Sequence, residues 1–235
     1  MKENDFIVIP ASEEHIPYAA QICDEMAESA KARGTGIARR TPEYVSQKMQ
    51  EGKAVIALTK DGKWAGFCYI ETWSHGQFVA NSGLIVNAAY RNQGLAKAIK
   101  YRVFELSRQK YPNSKIFGLT TGLAVMKINS ELGYEPVTYS ELTQDEDFWK
   151  GCQSCVNFDI LQSKGRKNCM CTAMLWDPTE KAKEVEKKMK KLSHKASLLE
   201  RIEKTIKKSA KMVLTVLAFS PKLIDWDEKE SSIGF

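Results

Sequence analysis

The chain has 235 residues, 43% of them apolar and 27% charged, with a formal net charge of +6. That apolar share is enough for a real core, and the charge is ordinary for a soluble protein. No apolar run approaches the roughly 20 residues of a membrane helix, and "MKENDFIVIP" holds no signal-peptide core. Six cysteines without a leader read as reduced thiols, so a soluble cytoplasmic protein with no membrane contact is expected. The basicity is local. Residues 178–212 carry twelve Lys or Arg against five Glu, a balance of +7, which leaves −1 for the rest of the +6. No nucleic-acid-binding motif accompanies them, so a solvated lysine-rich helix face is expected and nucleic-acid binding is not.

In chain order, "DFIVIP" reads as a short β-branched strand closed by Pro10. A helix follows, with Ser12 as N-cap and Gly34 after its basic end. Its apolar stripe is Ile16, Ala19, Ala20, Cys23, Met26, Ala27 and Ala30. Thr41-Pro42 caps and starts a second helix through Glu51. "KAVIALTK" and "KWAGFCYIETW" read as strands joined by an Asp61-Gly62 hairpin turn, and Gln77 to Val86 as a further strand. The next helix, Gly94 to Lys110, has apolar Leu95, Ala98, Ile99, Val103 and Leu106. "SKIFGLTT" is then a strand, Leu123–Leu132 a helix stopped by Gly133, and "YEPVTY" a strand. Past Tyr139 a long excursion intervenes before "CMCTAMLWD" closes the domain as a last strand. This order predicts a mixed α/β fold, a mainly antiparallel sheet flanked by helices, in a domain spanning 1–177. Residues 178–235 read as a lysine-rich extension. It carries one amphipathic helix of about 30 residues with a stripe of Val185, Met189, Leu192, Ala196, Leu199, Ile206 and Val213, which is expected to bury against its own domain or, by slight preference, in a homodimer.

Between Val86 and the helix, the turn Arg91-Asn92-Gln93-Gly94-Leu95-Ala96 combines unpaired helix N-terminal N–H groups, an unobstructed glycine and a forked cation. Those parts make a pyrophosphate cradle in form. This stretch resembles the coenzyme A signature of the GCN5-related N-acetyltransferases (GNAT). "KINSELGYEPV" (Lys127 to Val137) is similar to that family's second landmark, a helix ending in Leu-Gly-Phe/Tyr before a strand. The likeness runs over about three-quarters of the chain and leaves out the tail. "RGTGIARRTPEYV" together with "CQSCVNFDILQSKGRKNCMCTAMLWDP" further resembles a bacterial branch linked to arginine biosynthesis, which acylates glutamate-like amino acids.

The resemblance implies the acyl-CoA N-acyltransferase fold and direct attack of a small-molecule amine on acetyl-CoA, with succinyl-CoA not excluded. Backbone amides from Arg91 to Ala96 would grip coenzyme A. The strand edge at Leu84, Ile85 and Val86 would pair with pantetheine and supply an oxyanion donor. Glu71 and His75 are the base candidates. The family's tyrosine acid falls on Asn129, which can hydrogen-bond coenzyme A but not protonate it, so the acid is unassigned. Arg39 and Arg40 suit the carboxylates of an acceptor. The alternatives are a polyamine or peptide acceptor, or a catalytically silent acyl-CoA-binding module. Cys152-x2-Cys155 and Cys169-x-Cys171 offer four thiolates to a structural zinc, but the second spacing is off pattern. Small apolar cysteines packing the last strand are the expected reading.

Overall fold

The computed structural model describes residues 6–34, 39–184, 186–191, 202 and 204–207. Strands β1 (Phe6–Pro10), β2 (Ala54–Thr59), β3 (Trp64–Trp73), β4 (Phe78–Val86), β5 (Lys115–Thr120), β6 (Glu135–Val137) and β7 (Thr172–Trp176) form one sheet in the order β1-β2-β3-β4-β5-β7-β6. Only β4 and β5 pair in parallel, because α3 (Leu95–Lys110) crosses between them. Every other pairing is antiparallel. The mixed, mainly antiparallel sheet predicted from the sequence is the one observed, and the Asp61-Gly62 turn closes its β2–β3 hairpin with Gly62 at φ 80°.

Helices α1 (Ala19–Arg33) and α2 (Pro42–Gln50) join β1 to β2, and α4 (Leu123–Glu131) joins β5 to β6. Thr41 caps α2 by accepting a hydrogen bond from the Tyr44 N–H. Pro17 falls inside a 3-10 turn over Glu13–Tyr18, so α1 starts only at Ala19 and its buried face is rotated from the expected one. Ala19, Ile22, Met26 and Ser29 are buried, whereas Ala20 and Ala27 face out.

A similar correction applies to α3. Leu95, Ile99, Val103 and Leu106 are buried as expected, but Ala98 is exposed and Lys100 takes an inner position at 2% exposure. Leu95, Ile99, Val103 and Leu106 pack with Val55, Ala65, Cys68, Ile70, Val79 and Ile116 in the main core.

The excursion between β6 and β7 contains α5 (Glu146–Lys150) and α6 (Phe158–Ser163). Trp149, Leu142, Leu161 and Tyr139 bury against Phe117, Ala80 and Leu175, so this segment forms its own small core on the sheet. The Trp149 indole N–H donates to the Thr143 carbonyl at 3.0 Å, which fixes that anchor. Ser74 ties the β3–β4 turn to the same segment. Its N–H donates to Asp145 Oδ2 at 3.2 Å, and its hydroxyl lies 2.7 Å from that of Thr143.

The chain divides into two compact units, residues 1–181 and 182–235. In the second, the described residues are helical, and Met189, Ile202 and Ile206 are exposed. Val185, Leu192, Ala196, Leu199 and Val213 of the expected stripe lie outside the described residues. No helix among the described residues is long and apolar enough to cross a membrane.

Candidate active site

β4 and β5 pair over only three registers, Phe78 with Lys115, Val79 with Ile116 and Ala80 with Phe117. Beyond Ala80 the strands diverge and leave a wedge in the sheet. On its other side, β4 breaks register with β3, because Phe67 pairs with Ile85 and Tyr69 with Ser82. Gly83 and Leu84 therefore have no partner in β3. Gly83 has φ 64°, and a Cβ there would lie 2.2 Å from the Tyr69 ring. This β-bulge requires glycine twice over, once for its dihedral and once for the ring packed on it.

A cleft of about 950 Å³ opens from this wedge. One wall is the stretch of β4 from Asn81 to Leu84 that β5 leaves unpaired, facing Gly118 to Gly122 of the β5 end and Asn129 of α4. The other is Arg39, Arg40, Tyr44, Tyr69 and Glu71, with Phe148 and Cys152 of the excursion closing it.

At the C-terminal end of β4, the turn into α3 presents Asn92 at φ 62° and Gly94 at φ 80°. The backbone N–H groups of Asn92 to Ala96 find no backbone acceptor among the described residues, and a Cβ on Gly94 would meet nothing within 4 Å. The result is an exposed row of donors at a helix N-terminus, a form suited to an anion. Arg91 does not extend this row. Its Nη2 donates to Glu25 Oε1 at 2.6 Å and to Ser29 Oγ at 2.5 Å, and its Nε to the Val86 carbonyl at 3.1 Å. The guanidinium braces the turn against α1, leaving the backbone as the donor set.

The opposite wall is a side-chain network. Tyr44 donates its hydroxyl proton to Glu71 Oε1. Arg40 Nε donates to the Tyr69 hydroxyl at 2.5 Å, and its Nη2 lies 3.6 Å from Glu71 Oε1. Burial opposes the Arg40 charge, but Tyr69 and Glu71 more than offset it, and its pKa is raised. Burial, then Glu71, raises that of Tyr44, and burial likewise leads the rise at Tyr69. Both phenols are therefore neutral at physiological pH, Tyr44 donating to Glu71 and Tyr69 accepting from Arg40. Glu71 is 6% exposed and lies where β3 faces the cleft. Arg39 is exposed at the rim, with its N–H donating to Ser154 Oγ at 3.1 Å.

The structure thus brings Glu71, Arg39, Arg40, Leu84 and Asn129 to one cleft. It does not bring His75 there. That residue is exposed in the β3–β4 turn at φ 54°, and it is not among the cleft-lining residues. Ile85 and Val86 are buried in the strand, beyond the unpaired segment. Asn129 is 1% exposed. Its Nδ2 faces Met174 Sδ at 3.7 Å, and its buried Oδ1 has no hydrogen-bond partner among the described residues.

Cys152, Cys155, Cys169 and Cys171 line a second, much smaller cavity of about 30 Å³, together with Tyr139, Trp149 and Leu161. Burial and the neighbouring cysteines push Cys152 up to about 11 and Cys171 up to about 12, so both are neutral thiols in this setting. Among the described residues, no group of three or more His, Cys, Asp or Glu is arranged to hold a metal ion.

Tyr44, Tyr69 and Lys100 were not singled out from the sequence as site residues. The signals were present. Tyr69 and Glu71 share one face of a strand by simple alternation, and Lys100 sits three residues before Val103 on an otherwise apolar helix face.

The wedge, the bulged strand and the strand–turn–helix cradle are the acyl-CoA N-acyltransferase fold. The acetyltransferase (GNAT) family model matches residues 21–124. Solved structures similar in fold include N-acetylglutamate synthase from Neisseria gonorrhoeae, complexed with coenzyme A and N-acetyl-glutamate. It matches at 17% identity and a TM-score of 0.53 over 75% of this chain, and the matched part is 36% of the Neisseria chain. A Mycobacterium tuberculosis protein in complex with CoA matches at 19% identity and a TM-score of 0.52, over 73% of this chain and 98% of its own. A Salmonella typhimurium protein with its cofactor acetyl-CoA matches at 13% identity and a TM-score of 0.51, over 74% of this chain and 95% of its own. No curated protein matches the chain in sequence.

Proposed function

We propose that the protein transfers an acetyl group from acetyl-CoA directly to the α-amine of a glutamate-like amino acid. The observation that carries this reading is a cleft between the bulged stretch of β4 and Arg39, Arg40 and Glu71, together with a row of unpaired backbone donors in the turn that follows β4. The residues present fit the donor. The Gly94 position is open, the amides of Asn92 to Ala96 would take the pyrophosphate, and the unpaired stretch of β4 at Gly83 and Leu84 would hold the pantetheine arm. Asn129 Oδ1, buried and unpartnered, would accept from a group on that arm.

The acceptor is inferred from charge. A zwitterion with an extra carboxylate matches a wall that carries both a carboxylate and two guanidiniums, whereas a polyamine would face two cations of its own sign. Glu71 accepts a proton from the ammonium while Tyr44 orients it. The freed nitrogen attacks the thioester carbonyl, whose oxygen is met by a backbone N–H of the bulge. Arg39 and Arg40 hold the carboxylates. No covalent enzyme intermediate is required.

Release of free thiol, measured with acetyl-CoA or succinyl-CoA across amino acids, polyamines and peptides, tests this reading. Fastest turnover with glutamate-like acceptors is expected. Fastest turnover with polyamines would overturn the acceptor assignment. Binding of acetyl-CoA without thiol release from any amine would show a silent binding module.

We further propose that the 182–235 unit mediates a homodimer. The exposure of Met189, Ile202 and Ile206 supports this. Light scattering of the full chain and of a Met189→Glu, Ile206→Glu variant tests it, and a monomeric parent would overturn it.

A further inference from the structure

One charged group in the cleft has no role in the mechanism above. Lys100, in the second turn of α3, lines the cleft beside Asn81 and Ser82 and is 2% exposed. Its Nζ donates to Asn81 Oδ1 at 3.3 Å and lies 5.3 Å from the centre of the Tyr134 ring. No carboxylate pairs with it among the described residues. The neighbouring groups are Cys68 of β3, Asn81 of β4, Ser107 of α3, and Tyr134 after α4. The Tyr134 hydroxyl and Nζ both donate to Asn81 Oδ1, while Asn81 Nδ2 donates to Ser107 Oγ at 2.8 Å, so the amide is locked with its acceptor toward the lysine.

A buried lysine without a counter-ion is costly to keep, since burial penalises its charged form. Its place says what it is for. From the cradle, an arm laid back along β4 passes Leu84 and Gly83 and reaches Asn81 five residues from Val86, about 16 Å at the strand rise. The wedge closes there, because Ala80 pairs with β5. Asn129, which cannot act as an acid, lines the same cavity.

We propose that Lys100 is the proton donor to the departing sulfur of coenzyme A, an inference that rests on the acetyl-CoA reading of the cleft. In the step, the acceptor nitrogen bonds to the carbonyl carbon. The C–S bond then breaks with its electron pair passing to sulfur, and Lys100 gives a proton to that sulfur. The acceptor nitrogen loses two protons to solvent by way of Glu71, and Lys100 regains one from solvent after the thiol departs. One proton is released in all. Burial lowers the Lys100 pKa to about 8, near the range where an acid is effective at physiological pH. Burial pushes Cys68 up to about 11 and Tyr134 also upward, so neither titrates in that window.

The same placement makes a claim that needs no turnover. An ammonium beside the bound thiol of coenzyme A favours its thiolate, so bound coenzyme A should ionise at lower pH than free coenzyme A. The ultraviolet absorbance of the thiolate, read for bound coenzyme A against bound desulfo-coenzyme A, reports this directly. The wild type should show the shift. Lys100→Met and Lys100→Gln should lose it while still gaining thermal stability from coenzyme A. With the best acceptor, both variants should lose at least tenfold in kcat. The wild type should show a fall in kcat/KM above about pH 8, and both variants should lose it.

A wild-type protein whose bound coenzyme A ionises no more readily than free coenzyme A would overturn the proposal. So would Lys100 variants that keep the shift, or that match the wild type in kcat and pH profile. Failure of the wild type to bind coenzyme A at all would overturn the donor reading, and this proposal with it.

Discussion

Along the proposed donor wall, from Gly83 to Ala96, the groups offered to a ligand are backbone amides, freed by a bulge at one end and by a helix start at the other. Along the proposed acceptor wall they are side chains, Arg39, Arg40, Tyr44, Tyr69 and Glu71, drawn from the loop before α2, from α2 itself and from β3. A backbone wall tolerates many side chains and recognises what all donors of one class share. A side-chain wall is tuned residue by residue and selects one acceptor among many. The two walls should therefore fail independently, and each variant below is a way to separate them.

The largest effect is expected at Glu71→Gln. Glutamine can still accept the Tyr44 hydrogen bond, so the wall keeps its shape while the proton acceptor is lost. kcat/KM should fall by about 10²–10⁴, the usual worth of a positioned acid or base, with the thermal shift from acetyl-CoA unchanged. Loss of that thermal shift as well would mean the walls are coupled.

Gly94→Glu is the converse. It sets a carboxylate where the pyrophosphate would lie and forces a non-glycine residue to φ 80°. Acetyl-CoA at a hundredfold excess over its Kd stabilises by about 2.7 kcal/mol, and the variant should show none of this in a melting experiment. An equal rise in melting temperature for parent and variant would place the cradle elsewhere.

The contrast also explains what the sequence disclosed. The donor wall is nearly contiguous, so its turn and glycine could be read from a single stretch; the bulge at Gly83 was unforeseen, because a glycine inside a strand looks like any other small residue, and so was the turning of Arg91 toward Glu25 and Ser29 of α1. The acceptor wall depends on contacts 27 to 29 residues apart, such as Tyr44 with Glu71 and Arg40 with Tyr69. Spacing along the chain does not encode such pairs. Lys100 was missed for a third reason. A lysine is assigned to the wet face of a helix by habit, and only packing from β3 and β4 reveals the exception.

For the arginines, the side chain of Arg40 is already engaged with Tyr69 and Glu71, whereas that of Arg39 has no hydrogen-bond or ion-pair partner among the described residues. Arg39→Ala should therefore weaken kcat/KM for glutamate-like acceptors by about 1.5–3 kcal/mol, the range for hydrogen bonds to charged groups. Neutral acceptors should change little. The Arg39→Ala, Arg40→Ala pair should add a loss common to all acceptors, because it also releases Glu71. Equal losses for charged and neutral acceptors in the single variant would remove Arg39 from recognition.

The smallest effect is expected at His75, the second base candidate suggested by its place four residues after Glu71. The β3–β4 hairpin carries it away from the cleft: extended backbone advances about 3.3 Å per residue, and the strand continues through Trp73 before the turn begins. There Ser74 is bound to Thr143 and Asp145, and His75 sits exposed at φ 54°. Asparagine is more at ease than most residues in this left-handed conformation, so His75→Asn should leave stability within about 0.5 kcal/mol of the parent. Its kcat/KM should match the parent across the pH range, measured with the same acceptor as Glu71→Gln. A loss in His75→Asn comparable to that in Glu71→Gln would mean that the turn folds over the cleft during turnover, and that the acceptor wall extends beyond the side chains assigned to it.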